Sequence, residues 1–281
     1  MNEANSCVGV SDTLAPQSQP THNAVRNVPP QQGNTCTMNP LILIPARMAA
    51  TRLPNKPLAD IGGKPMIVRA YESALNSGLP VAVAAGDQEI VDAIVDIGGQ
   101  AVLTDPDLPS GSDRIRAALE AIDPDGEYDA VINLQGDMPF ADPGLATACA
   151  ALLHGEPTCD IATLVAPESD ASDRTNVDVV KAVLALAEGE RQGKALYFTR
   201  STLYGDAPIW RHIGVYGYRR EALMRFCAAP PSPLEKREKL EQLRAMELGL
   251  TLRAAVAADA PISVDNPSDL EAARHHAGKQ A

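Results

Sequence analysis

The chain has 281 residues, of which 45% are apolar, enough for one large α/β domain with a real core. Its 24 Lys and Arg against 36 Asp and Glu give a formal net charge of −12. This balance argues against a general nucleic-acid binder and against a protein that binds anionic membranes. No apolar run approaches the roughly 18 residues that a membrane-spanning helix needs. Five scattered cysteines with no C-x-x-C pair, and no apolar signal core, predict reduced thiols and a cytoplasmic location.

Residues 1–38 are rich in Asn, Gln, Pro, Ser and Thr and have no apolar periodicity, which predicts a disordered tail. Met38 stands directly before the first predicted strand, so two alternatives stay open. Either the tail is a genuine appendage, or the start is mis-assigned and translation begins at Met38. We expect a single domain over 39–276, with a smaller subdomain within about 167–248, and a second short tail at 277–281.

The first strand is predicted over 41–44, an apolar and β-branched run that Pro45 ends. A long loop follows with four basic residues against one acid, Asp60; the basic residues are Arg47, Arg52, Lys56 and Lys64. Ligands of open α/β sheets bind just outside the carboxyl ends of the strands, so this loop predicts a polyphosphate site. The sequence has neither G-x-x-x-x-G-K-[ST] nor G-x-G-x-x-G, so side chains and loop amides are expected to hold the phosphates.

Buried strands are then predicted at 81–85, 101–103, 130–134 and 161–165, with amphipathic helices between them. This alternation implies βαβ units and a mainly parallel sheet. Beyond about residue 167 the pattern changes, and strands over 177–186 and 213–218 predict a mixed or antiparallel region. A charged helix over 235–248, a strand near 252–257 and a helix after Pro267 complete the chain.

Two aspartates are candidate metal ligands. Asp137 directly follows the strand over 130–134, in a turn with Gly136 and Pro139, and Asp265 lies between an apolar segment and a helix start. Hard cations such as Mg²⁺ prefer carboxylate oxygens and share their coordination with phosphates. The alternative for both residues is a helix cap or an Asx turn, and that alternative is stronger for Asp265.

Several motifs together strongly resemble those of the CMP-KDO synthetases, the 3-deoxy-manno-octulosonate cytidylyltransferases. They cover about residues 39–276 and are Ile44-Pro45-Ala46-Arg47, Thr51-Arg52-Leu53-Pro54, Gly63-Lys64-Pro65-Met66-Ile67, Ser110-Gly111-Ser112-Asp113-Arg114, Asn133-Leu134-Gln135-Gly136-Asp137, Leu196-Tyr197-Phe198-Thr199-Arg200, Arg211-His212-Ile213-Gly214-Val215-Tyr216-Gly217-Tyr218, Leu240-Glu241-Gln242-Leu243-Arg244 and Val264-Asp265-Asn266-Pro267. The first motif indicates only a nucleotidyltransferase, and the later ones are specific to the KDO branch.

The resemblance implies an α/β fold with a Rossmann-like, mainly parallel sheet sandwiched by helices, and a smaller mixed α/β region for dimerisation and sugar binding. It implies Mg²⁺-dependent transfer of CMP from CTP to 3-deoxy-D-manno-octulosonate (KDO), with release of pyrophosphate. That reaction activates KDO for lipopolysaccharide biosynthesis. The implied assembly is a homodimer that binds neither nucleic acid nor the membrane interior.

The resemblance also implies roles for individual residues. Nucleotide binding is expected from Pro45, Ala46, Arg47, Arg52, Lys56, Ser110, Gly111, Arg114 and Gln135. Sugar binding is expected from Gln135, Arg200, His212, Tyr216, Glu241 and Gln242. Asp137 and Asp265 are the expected metal ligands, and together with Arg47 and Lys56 they form the expected catalytic set.

The sequence departs from the family pattern at three positions. Met138 stands where most members have Glu, Ala50 replaces a usual Ser, and Gly86 replaces a usual Thr. The alternatives to the KDO enzyme are a cytidylyltransferase for another acidic sugar, such as 8-amino-KDO or a sialic acid, and an inactive nucleotide-binding homologue.

Overall fold

The computed structural model describes residues 38–49, 53–168, 170–205 and 207–280. Residues 1–37 of the predicted tail at 1–38, together with Ala50 and Arg52, lie outside the described residues. The α-helices are α1 (Met66–Leu75), α2 (Gln88–Val95), α3 (Gly111–Ile122), α4 (Pro143–Gly155), α5 (Arg220–Ala228), α6 (Pro233–Glu238), α7 (Gln242–Glu247) and α8 (Pro267–Gln280). The strands are β1 (Pro40–Ala46), β2 (Asp60–Ile61), β3 (Lys64–Pro65), β4 (Val81–Ala85), β5 (Ala101–Leu103), β6 (Ala130–Asn133), β7 (Ile161–Pro167), β8 (Lys181–Ala185), β9 (Gln192–Thr199), β10 (Trp210–Arg219) and β11 (Leu252–Val256).

Nine of these strands form one sheet in the order β5-β4-β1-β6-β10-β7-β11-β9-β8, and β2 and β3 form a separate hairpin. The pairs β5–β4, β4–β1, β1–β6 and β7–β11 are parallel. Strand β10 runs antiparallel to both β6 and β7, and β9 runs antiparallel to β11 and β8. The prediction of a mainly parallel sheet is correct for β5-β4-β1-β6, and the prediction of a mixed or antiparallel region beyond residue 167 agrees with β8, β9 and β10. That these strands join the same sheet, with β10 between β6 and β7, was not predicted.

Helices cover both faces of the sheet, and β1 shows why. Successive side chains of a strand point to opposite faces. Ile42 and Ile44 pack in the cluster that contains side chains of α1, α2 and α4, whereas Leu41 and Leu43 pack in the cluster that contains side chains of α3, α5 and α7. All four side chains are buried. The predicted α/β class is confirmed, and the apolar run at 41–44 lies in the middle of the core.

The region 167–248, predicted to contain a smaller subdomain, contributes β8, β9 and β10 to this same sheet. Its predicted single helix over 235–248 is two short helices, α6 and α7. A capping box between Ser232 and Glu235 begins α6. Lys239 ends it with a positive φ of 55°, so the chain changes direction before α7.

Helix α8 continues through residues 277–280, where the sequence predicted a tail. Ala277 is buried against Ile61, Met66 and Val264 in a third apolar cluster, and this contact holds the last turns of the helix in place. No helix within the described ranges is long and apolar enough to cross a lipid bilayer.

Candidate active site

A cavity of about 260 Å³ opens at the carboxyl ends of β1 and β6. These strands are parallel neighbours, so the loops that follow them leave the sheet at the same edge. The cavity is lined by Pro45, Ala46, Arg47, Ala49, Lys56, Pro57, Met66, Leu108, Ser110, Gly111, Arg114, Gln135, Gly136 and Asp137. With the exception of Arg52, which lies outside the described residues, every residue that was predicted to bind the nucleotide lines this cavity.

The two predicted metal ligands are brought together by the loops that carry them. The amide of Val264 donates to the carbonyl of Asp137 at 2.9 Å, which places Asp265 beside Asp137. The ammonium of Lys56 lies between the carboxylates, 2.9 Å from Asp137 Oδ2 and 3.4 Å from Asp265 Oδ1. Burial raises the pKa of Asp137, and the charge of Lys56 opposes that rise.

The local backbone explains how Lys56 reaches this position. Asn55 adopts a left-handed conformation with φ of 56°, which Asn tolerates better than most residues. It precedes a 3₁₀ helix at Lys56–Leu58 in which Pro57 is buried. The base of the Lys56 side chain is therefore fixed, and its four-carbon chain extends to the aspartates.

Arg114 is 2% exposed and holds the loop before α3. Its guanidinium donates to Thr104 Oγ1 at 2.6 Å and to the carbonyls of Asp105 and Pro106 at 3.0 and 3.2 Å. Burial, with the charge of Arg47 second, lowers its pKa. A Cβ atom at Gly86 would lie 2.8 Å from Arg114 Nη1, so the departure from the family pattern at Gly86 leaves room for this guanidinium.

Ser110 caps the start of α3 by accepting from the Asp113 amide. Two residues later, Ser112 Oγ donates to Glu241 Oε2 at 3.0 Å. Burial raises the pKa of Glu241. This contact connects a predicted sugar residue, Glu241, to the helix whose first turn lines the nucleotide cavity.

Three other predicted sugar residues lie where β6, β7 and β10 meet. Tyr216 of β10 is opposite Asn133 of β6, and Gln135 Nε2 donates to Asn133 Oδ1 at 3.1 Å. The His212 and Tyr216 rings are 5.3 Å apart. Burial lowers the pKa of His212 to about 4, so the imidazole is neutral at pH 7.

The hydrogen bonds of Thr163 define the tautomer of His212. Thr163 Oγ1 lies 3.0 Å from His212 Nε2 and donates to the Val215 carbonyl at 2.9 Å. A hydroxyl has one proton to donate, so the Nε2–H of His212 donates to Oγ1. Nδ1 is then a hydrogen-bond acceptor.

The other two predicted sugar residues have different surroundings. Gln242 is buried at the start of α7. Arg200 directly follows β9, and its guanidinium donates to the carbonyls of Val177 and Asp178 at 3.1 and 3.3 Å. Within the described ranges, the hydrogen bonds of this guanidinium thus go to the backbone and not to His212 or Tyr216.

Met138 is 6% exposed and packs in the apolar cluster of β1, α1 and α4. At this position the chain buries a thioether among apolar side chains.

The sequence analysis missed three polar residues that hold predicted ligands: Thr163, Asn133 and Ser112. Thr163 and Asn133 lie within buried strands, where a polar side chain needs a partner. That requirement was the available signal. It gave no indication of which side chain the partner is, because β10 had not been placed between β6 and β7.

Comparison with known proteins gives a consistent assignment. The family model described as cytidylyltransferase matches residues 41–252. The 3-deoxy-manno-octulosonate cytidylyltransferase of Parvibaculum lavamentivorans is 55% identical over 84% of this chain and 92% of its own length. The protein of the same name from Rhodospirillum centenum is 54% identical over 84% and 92%.

Solved structures agree. A CMP:2-keto-3-deoxy-manno-octonic acid synthetase complexed with CTP matches 86% of this chain and 100% of its own, with a TM-score of 0.79 and 36% identity. A nucleotidyl transferase from Methanothermobacter thermautotroptrophicus matches with a TM-score of 0.57 at 15% identity over 86% and 99% of the two chains, and shows the fold alone. The chain belongs to the 3-deoxy-manno-octulosonate cytidylyltransferase family.

Proposed function

We propose that this enzyme transfers CMP from CTP to KDO and releases pyrophosphate. The observation that carries the proposal is one cavity at the carboxyl ends of β1 and β6 that collects Arg47, Lys56 and Asp137. Relatives at 54–55% identity are named for this reaction, and a structural relative at 36% identity is described in complex with CTP.

Phosphoryl transfer depends on alignment and charge neutralisation more than on covalent help from the protein. Arg47 and Lys56 supply two cations at the cavity and are assigned to the β- and γ-phosphates. Arg52, on the same loop, is assigned to the phosphates from the sequence alone. The cytosine is assigned to the opposite wall, where Arg114 fixes the loop that contributes Leu108 and Ser110 to the lining.

The residues present fit a Mg²⁺ ion. Asp137 Oδ1 is buried and has no hydrogen-bond partner among the described residues, and such an atom is costly unless a ligand satisfies it. Asp137 and Asp265 would hold the ion, with phosphate oxygens completing its shell. When bound, Mg²⁺ polarises the phosphate and lowers the pKa of the attacking sugar hydroxyl.

We assign the sugar to the surface formed by Gln135, His212, Tyr216 and Glu241, beside the end of β6. Nδ1 of His212 accepts from a sugar hydroxyl, because Nε2 already donates to Thr163. A neutral imidazole does this without placing a charge in a buried site. Arg200 offers a planar fork for the sugar carboxylate, and Gln242 supports the same region from the start of α7.

We also propose that the enzyme is a homodimer that acts in the cytoplasm and supplies activated KDO for lipopolysaccharide biosynthesis. The described cysteines Cys149, Cys159 and Cys227 are free thiols, as in proteins of reducing compartments. Exposed apolar side chains at the β8–β9 end of the sheet, among them Leu196 and Tyr204, support dimerisation there.

The Asp137→Asn variant tests the assignment of the catalytic carboxylate. We expect kcat to fall at least about 100-fold, because metal stabilisation of transition-state charge contributes several kcal/mol. The matched control is Asp125→Asn, which changes an exposed carboxylate in the loop between α3 and β6. Both variants should melt near the wild-type temperature. A folded Asp137→Asn enzyme with wild-type turnover would contradict the assignment.

A further inference from the structure

Lys56 forms two ion pairs that join the candidate metal ligands. Its ammonium is 2.9 Å from Asp137 Oδ2 and 3.4 Å from Asp265 Oδ1, and its side chain is 15% exposed. The second oxygen of Asp137 is buried without a partner in the described part of the chain. Lys56 therefore pairs with only one of the two oxygens of Asp137, and it does so from the position between the carboxylates.

Two carboxylates and one ammonium have a net charge of −1. A divalent cation on both carboxylates would bring the group to +1 if Lys56 stayed, with two positive charges within a few ångströms of each other. In a partly buried site such a repulsion is screened less than in bulk water. Lys56 and a divalent metal ion thus compete for the same pair of carboxylates.

We propose that Lys56 is an internal counter-ion that keeps the divalent metal out of the aspartate pair until the nucleotide binds. This inference rests on the proposed function, because it takes the triphosphate as the ligand that withdraws the ammonium. Metal binding is weak in the free enzyme, and it becomes strong once the phosphates accept Lys56.

The surroundings of Lys56 allow this exchange without movement of the backbone. Its Cα belongs to the short 3₁₀ helix that Asn55 and the buried Pro57 fix. Its side chain lines the same cavity as Arg47, so the ammonium reaches phosphate oxygens there by rotation about its own bonds. A charge-assisted contact between Lys56 and a phosphate oxygen then replaces the contact between Lys56 and Asp137.

Thermodynamic linkage makes the inference measurable. If the nucleotide tightens metal binding by removing Lys56, then the metal tightens nucleotide binding by the same factor. Replacing Lys56 by an uncharged residue of similar length removes the competitor. Metal binding to the free enzyme then becomes tighter, and the coupling between metal and nucleotide becomes weaker.

The experiment measures Mn²⁺ binding to the full chain by the electron paramagnetic resonance signal of the free ion, with and without a non-hydrolysable CTP analogue. We expect Lys56→Met to bind Mn²⁺ at least about tenfold more tightly than wild type without nucleotide, a change of about 1.4 kcal/mol. We expect the analogue to tighten binding much less in Lys56→Met than in wild type. Lys56→Arg keeps the charge and should retain weak metal binding in the free enzyme.

Lys64→Met is the matched control, because it removes one positive charge from the same part of the chain. Lys64 pairs with Glu72 at 2.6 Å and, among the described residues, forms no ion pair with either aspartate, so its loss should leave Mn²⁺ affinity unchanged. Equal affinity of Lys56→Met and wild type for Mn²⁺ without nucleotide would overturn the inference. A different result would contradict the proposed function itself. If Asp137 is not a metal ligand, Asp137→Asn leaves Mn²⁺ binding to the enzyme–nucleotide complex intact.

Discussion

His212 has one chemical form at neutral pH because burial lowers its pKa to about 4. The hydrogen bond from Nε2 to Thr163 then fixes which nitrogen carries the proton. A residue chosen from a motif thus acquires a specific role, that of a neutral acceptor at Nδ1. The role depends on a threonine from another strand.

The depressed pKa of His212 predicts how stability depends on pH. The folded value of about 4 lies below the usual 6.5, so the unfolded chain binds more protons between these values. Stability is therefore unaffected by His212 above about pH 6.5 and falls as the pH decreases toward 4, by up to about 3 kcal/mol.

Urea unfolding of wild type and His212→Asn at pH 7, 6 and 5 measures this contribution. The variant should lose part of the wild-type decline below pH 6.5, whereas His275→Asn, a change at an exposed histidine, should keep it. The same decline in His212→Asn as in wild type would show that the histidine is protonated at the ordinary pH.

At the scale of the element, two cationic side chains, Lys181 and Arg200, fix the segment that precedes β8. Lys181, which has no exposed surface, donates to the carbonyls of Asn176 and Arg200. The guanidinium of Arg200 donates to the next two carbonyls, those of Val177 and Asp178. Three consecutive carbonyls are thus satisfied by two side chains, and the position of Arg200 depends on Lys181.

Lys181→Met should therefore weaken sugar binding while leaving nucleotide binding intact. Loss of the ammonium leaves two carbonyls unpaired, which costs about 2 kcal/mol of stability. A displaced Arg200 should raise the KM for KDO at least about tenfold, with the KM for CTP within about twofold of wild type.

Steady-state kinetics with each substrate varied in turn measures this difference between the two KM values. The control is Lys194→Met, which changes an exposed lysine of β9. Equal increases in both KM values would mean that Lys181 does not act through Arg200.

At the scale of the whole molecule, β10 joins the two halves of the sheet. It lies antiparallel between β6 and β7, so the nucleotide cavity at β6 and the polar residues of β10 share one edge. The mixed half includes β8, which pairs antiparallel with both β9 and β10, and Leu196 and Tyr204 are exposed on nearby segments. The parallel half ends at β5.

If the enzyme is a homodimer through the region of β8 and β9, a charged substitution there should change the mass of the assembly, whereas one on β5 should not. Light scattering after size-exclusion chromatography should give twice the mass of the chain for wild type. Leu196→Asp on β9 should shift the mass toward one chain, because a charge in an apolar interface is unfavourable. Leu103→Asp on β5, where the leucine is similarly exposed, should not. A monomeric wild type would contradict the assembly.

Local sequence patterns were sufficient to predict the strand at 41–44, the strand over 130–134 and the gathering of Arg47 and Lys56 at their carboxyl ends. The binding of a polyphosphate there stays a prediction. The pattern of apolar residues identifies strands but not their partners or directions. The position of β10 between β6 and β7, and with it the Thr163–His212 contact, was therefore beyond local reasoning. The break between α6 and α7 was missed because the left-handed residue is Lys239 and not a glycine. The roles of Arg52 and Ala50 stay predictions.

Pyrophosphate release in the presence of CTP and Mg²⁺ tests the central claim most directly. The purified enzyme is assayed with KDO, with its 8-amino analogue and with N-acetylneuraminate at matched concentrations. The account predicts release with KDO at the highest kcat/KM, because relatives at 54–55% identity are named for this sugar and we propose that the surface around His212 and Tyr216 binds it. Release with neither KDO nor the other sugars would contradict the enzymatic function, and release only with the others would contradict the substrate.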